Sequence, residues 1–168
     1  MKLSDGVEQA IHSVTMLAVL PADGVLSAAA LAEFHGVSTS YLLKHLQALS
    51  RAGILDTVPG PKGGYRLARQ SEEITLLDII LAVEGHEPAF RCKEIRQKGP
   101  NPLPKERFNA PCQINAAMLR AERIYRNELR KVTVADLNTS VMATDDGSIE
   151  RRGCAFLSQH MRLSPSKP

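Results

Sequence analysis

The chain has 168 residues, 43% of them hydrophobic and 23% charged, with a formal charge of +3. That length fits one ordinary domain, or a small head with an appended helix, and suffices to bury a core. A charge of this size does not by itself mark a nucleic-acid partner. No run of about 18 apolar residues is present to span a membrane, and three cysteines, an odd number, do not make a disulfide framework.

The start of the chain carries Glu8 and His12 within an amphipathic segment and lacks the smooth apolar core of a signal peptide, so a cytoplasmic protein with free thiols is expected. Val7, Ala10, Ile11, Val14, Leu17, Ala18 and Val19 recur at three- and four-residue spacing, which predicts a first helix over about 4–20, ending at Pro21. Ser27 caps a short helix over 28–35 that Gly36 closes, and a turn at 37–39 leads into a third helix over 40–52, with Leu42, Leu43, Leu46 and Leu49 facing inward. Residues 53–67 then read as two short apolar strands flanking a Pro/Gly tip, a β-hairpin. Three helices followed by a glycine-tipped hairpin is the layout of a winged helix-turn-helix, which lays one helix in a DNA groove and the hairpin on the neighbouring backbone.

Thr75 caps a fourth helix over 76–84, stopped by Gly85. From 86 to 111 the chain is polar, basic and broken by Pro88, Pro100, Pro102, Pro104 and Pro111, a long loop that something must hold. A long helix over about 113–132 follows, with Ile114, Ala117, Met118, Ala121, Ile124, Tyr125 and Leu129 in one stripe; a lone helix cannot bury it, so pairing with a second subunit is expected. The predicted division is a DNA-binding head over 1–85, a binding loop over 86–112, a dimerisation helix over 113–137 and a weakly ordered tail over 138–168. The fold class is mostly α with a small β wing.

Residues 1–70 carry six Lys/Arg against five Asp/Glu, so the head depends on a few placed cations and not on a broad basic field. Ser38, Thr39, Ser40 and Tyr41 open the third helix, where hydroxyls reach phosphates or base edges. Ser38 or Thr39 acting only as a cap is the plainer alternative. Helical periodicity exposes Lys44 and His45, Gly60, Gly63 and Gly64 permit close backbone approach, and Lys62 supplies charge at the wing. No phosphate loop, Ser/His/Asp set or paired-carboxylate pocket is legible, so an enzyme is not expected.

Ser-x-x-Tyr-Leu over 38–42, Leu-x-x-Ala-Gly over 49–53, Gly-x-x-Gly-Gly-Tyr-x-Leu over 60–67 and the Thr-Leu-Leu-Asp-Ile-Ile run over 75–80 with Val-Glu-Gly over 83–85 resemble the winged-helix transcriptional regulators that include IscR, NsrR and RsrR. The resemblance covers about 1–135 and is closest in pattern to the redox regulator RsrR. It implies a homodimeric repressor on a palindromic double-stranded DNA operator. Many relatives place an arginine before the first wing glycine; Pro59 stands here, so Lys62 or Arg66 would have to substitute.

The resemblance also implies a cysteine-bearing loop that holds an iron–sulfur cluster at the dimer interface. Cys92 and Cys112 match the outer two cysteines of that loop, Phe108 falls at the middle one, and Cys154 lies far downstream. A [2Fe–2S] centre needs four protein ligands, and histidines can replace cysteines on one iron. Glu8 and His12, four apart on one helical face, can supply the missing pair from the partner subunit, an acidic ligand of the first helix being known among the relatives. Such a site would respond to redox state. A zinc site with the same donors, a cluster-free regulator acting through thiols or a partner, and a plain surface ion pair stay open as alternatives.

Overall fold

A computed structural model describes residues 3–164. The first helix, α1 (Asp5–Leu17), buries Val7, Ala10, Val14, Met16 and Leu17. Ser4 does not cap it with its side chain; its backbone N–H and its hydroxyl both donate to the Glu84 carboxylate, tying the start of α1 to the end of a later helix. The helix stops three residues short of the expected Leu20 because the chain turns there, with Gly24 N–H donating to the Pro21 carbonyl.

A short strand β1 (Gly24–Val25) leads to α2 (Ala28–His35), where the Ser27 hydroxyl accepts from Ala30 N–H and Gly36 closes the helix at φ +65°. The next helix, α3 (Thr39–Arg51), turns Leu42, Leu46 and Leu49 fully inward. The hairpin follows as β2 (Leu55–Val58) and β3 (Gly64–Leu67), antiparallel with Leu55 opposite Leu67 and Val58 opposite Gly64. Thr75 and Asp78 form a reciprocal capping box at the start of α4 (Leu76–Glu84). The core gathers Val14, Leu26, Leu31, Leu42, Leu46, Leu49, Ile54, Ile74 and Ile79 from these elements, so the expected winged helix-turn-helix head is present.

Residues 86–111 are irregular as expected, with 3-10 turns over Ile95–Gln97 and Lys105–Phe108. The long helix α5 (Gln113–Arg130) is shorter than the dimerisation segment expected over 113–137. Chain direction changes after it because Leu76 N–H donates to the Val132 carbonyl and Val134 N–H to the Ile74 carbonyl, clipping the connection to the head. A second Thr/Asp capping box, Thr133 with Asp136, then starts α6 (Val134–Thr144), whose Val134 is fully buried in the head core.

The expected weakly ordered tail is corrected as well. Beyond α6 the chain forms α7 (Ser148–His160) and β4 (Arg162–Leu163); only residues 165–168 of that tail lie outside the described residues. Two contacts explain the order. Phe156 of α7 packs on Phe34 of α2 at 4.9 Å between centroids, beside the Arg152 guanidinium over the same ring, and β4 pairs antiparallel with β1.

Candidate DNA interface and thiol site

Ser38, Thr39, Ser40, Tyr41 and Lys44 are all exposed at the N-terminal end of α3. Ser38 caps the helix through Tyr41 N–H and shares a 3.0 Å hydrogen bond with the Ser40 hydroxyl, so capping and exposure occur together. The helix N-terminus adds its partial positive charge to these hydroxyls. His45 does not join them. Its ring lies over Gly6 of α1, so close that a Cβ there would collide with it, and Nε2 is buried without a hydrogen-bond partner. Burial holds its pKa below the ordinary value, against the opposing pull of Glu84. His45 is therefore a packing residue between α1 and α3, a correction to the expected exposed face.

In the wing, Gly60 has φ +102° with open space around it, and Lys62 is exposed with no ion pair among the described residues. Gly63 and Gly64 are needed for a different reason than expected. A Cβ at Gly63 would strike the Val58 carbonyl and one at Gly64 the Leu26 carbonyl, so both serve the hairpin's approach to its own chain. Arg66 is also corrected as a free wing cation. Only 13% of its side chain is exposed, and its guanidinium donates to Asp56 and to the Ser164 carbonyl, each at 3.3 Å.

The loop brings Cys92 and Cys112 side by side at the start of α5, where Cys112 is the residue before the first helical turn. The Asn115 N–H, helped by the Ile114 N–H, the Arg96 guanidinium and the Cys92 thiol, outweighs partial desolvation and holds the Cys112 thiol below its ordinary pKa. Arg96, which belongs to none of the sequence motifs, is fixed there by Glu94 through two hydrogen bonds and stands 4.9 Å over the Phe108 ring. Phe108 thus carries the cation that lies beside the two thiols. A basic residue four places after Cys92 was the available signal.

Glu8 and His12 project from the exposed face of α1, lining a shallow hollow with Leu3, Val7 and Ile11. His35 of α2 lies 5.6 Å from the His12 ring; burial, then His12 and Arg152, lower its pKa. Among the described residues of a single chain no three His, Cys, Asp or Glu side chains converge as a metal site. The four candidate donors fall into a sulfur pair on the loop and an oxygen–nitrogen pair on α1. Cys154 is exposed on α7.

The sequence matches the family model of Rrf2, described as an iron-dependent transcriptional regulator, over residues 3–140, so α7 and β4 lie beyond the match. It is 34% identical over 138 residues to the YffB protein of Lactococcus lactis subsp. lactis (strain IL1403), covering 82% of this chain and 86% of that one. It is 31% identical over 93 residues to the HTH-type transcriptional regulator IscR of Photorhabdus laumondii subsp. laumondii, covering 55% and 57%. The fold superposes on the structure of CymR, the global cysteine regulator of B. subtilis, with a TM-score of 0.64 at 23% identity, covering 83% of this chain and 98% of that one.

Proposed function

The chain belongs to the Rrf2 family of transcriptional regulators, and from that premise we propose that it is a homodimeric, cytoplasmic repressor whose DNA binding responds to redox state through a [2Fe–2S] cluster at the dimer interface. Among the described residues no helix is long and apolar enough to cross a membrane. The observation that carries the reading is the juxtaposition of Cys92, Cys112 and Arg96 at the N-terminus of α5, directly before a helix with an unburied apolar stripe.

Cys92 and Cys112 of one chain, with Glu8 and His12 of the partner subunit, would supply the four ligands, and a bound cluster would contribute one-electron redox chemistry at a potential raised by the imidazole ligand. The helix N-terminus and Arg96 favour the thiolate form that ligation needs. The α1 helix packs directly on α3, so a change in how Glu8 and His12 are held would reach the helix that bears Ser38 to Lys44. On the DNA, Ser38, Thr39, Ser40 and Tyr41 address base edges and phosphates, and Lys44 and Lys62 contact the backbone, with half-sites about one helical turn apart.

Anaerobic purification followed by an absorption spectrum with iron and sulfide analysis tests the cofactor, a coloured protein with two irons and two sulfides per cluster being the expected result. The adjacency of the two thiols favours one second reading, a cluster-free thiol switch. Colourless protein that refuses reconstitution, whether metal-free or loaded with zinc, would establish that reading or its zinc counterpart instead.

A further inference from the structure

The tip of the wing carries Lys62 as its own exposed cation, while Arg66 is taken up by Asp56 and by the Ser164 carbonyl. A second cation reaches the tip from the far end of the chain. Arg162 stands on β4 opposite Val25 of β1, its side chain is exposed, and its Nη1 donates to the Pro61 carbonyl at 2.7 Å. Its backbone is fixed on both sides, by the β1 pairing and by Ser164 N–H, which donates to the Asp23 carbonyl at 2.7 Å. The β1 strand is itself joined to the wing through the Leu26–Tyr65 bridge, so β4 extends the wing's sheet edge.

An arginine has five N–H donors, and the bond to Pro61 uses one. Arg162 makes no ion pair among the described residues, and the nearest wing carboxylate, Asp56, is engaged by Arg66. Its rotamer is anchored at one nitrogen while the rest of the fork remains unused, which lowers the entropy cost of gripping a phosphate. Resting on the DNA-binding reading above, we propose that Arg162 is a second phosphate-contacting cation of the wing, delivered to the hairpin tip by the C-terminal strand. The role would fall to the extension beyond the family match, since Arg162 lies past residue 140 and reaches the Pro61 carbonyl at the hairpin tip.

The test is fluorescence anisotropy of the full-length protein on a labelled mixed-sequence duplex across a salt series. R162A should weaken binding severalfold at low salt and flatten the slope of log affinity against log salt by about 0.9 per subunit in contact. R162Q retains a donor for the Pro61 carbonyl but no charge, and should flatten the slope equally, whereas R162K should restore it. Matching circular dichroism spectra of R162Q and R162K keep the comparison free of folding defects should R162A be unstable. Wild-type slopes in both R162A and R162Q, with or without lower affinity, would overturn the proposal and reduce Arg162 to a brace. If wild type itself shows no salt-dependent binding, the regulator reading falls together with this one.

Discussion

The imidazole of His45 presses on Gly6 across the α1–α3 contact, and that pairing makes two measurable demands on stability. The first is a pH dependence. Burial lowers the folded pKa of His45 below the 6.5 of a free imidazole, and burial, followed by His12 and Arg152, lowers that of His35 in the same direction. As pH falls through 6.5 the unfolded chain takes up protons that the folded one refuses, so stability is full above that pH and declines below it until the folded values are passed. His45→Gln should flatten part of this decline in urea midpoints, and an unaltered decline would assign it to other groups. The second demand is steric: Gly6→Ala should destabilise the wild type, yet in a His45→Ala background it should stabilise by about 0.5 kcal/mol as alanine's helix propensity is realised. Read from α3 alone, His45 falls at the edge of the apolar stripe and looks exposed. What turns it inward is a missing Cβ on another helix, information that no periodicity within α3 contains.

The helices of the head were legible because each carries its own punctuation: Ser27 and Gly36 around α2, and Thr75, Asp78 and Gly85 around α4. The same Thr-x-x-Asp signal at Thr133 and Asp136 starts α6 just past the expected end of the long helix at about 132, but the polar run beyond it carried no apolar stripe to mark a further helix. The α7 helix offered less, since none of its residues is fully buried and its order depends on a few side chains meeting α2. Phe156 is the chief of these, edge-on to Phe34 and stacked on His160 at 4.0 Å. Phe156→Ala should therefore cost about 1 kcal/mol of stability and expose the 147–160 segment to proteolysis, whereas Cys154→Ser, at an exposed position, should change neither. Equal urea midpoints and equal digestion rates for Phe156→Ala would mean that β4 alone holds the extension. The thiol pair was legible and its surroundings were not: the resemblance of the loop pointed to Cys92 and Cys112, while Arg96 and Phe108 meet beside them only through the 3-10 turns that fold the loop.

At the scale of the whole molecule, α5 presents an apolar edge that a single chain leaves open. Its expected stripe divides into two faces, with Tyr125 and Leu129 turned toward the groove along α4 while Ile114, Met118 and Ile124 stay 66%, 45% and 65% exposed. An apolar edge of that kind on a helix with no fully buried residue is met most simply by a second copy of the same helix. Ile124→Arg should give monomers by sedimentation and, because the donor pairs of one chain do not converge, should abolish the cluster without touching a ligand. The arrangement of ligands between chains can be read from a mixture of two inactive variants, His12→Ala and Cys92→Ala. If Glu8 and His12 act across the interface, both defects of a heterodimer fall in the same site and the other site keeps all four ligands, so the mixture should regain one cluster of the two. If ligation ran within each chain, every site would carry one defect and the mixture would stay colourless. Subunit exchange has to be shown by mass-tagged chains in the same sample, after which a colourless heterodimer would remove Glu8 and His12 of the partner subunit from the site, and with them the route by which a change at the cluster reaches α3.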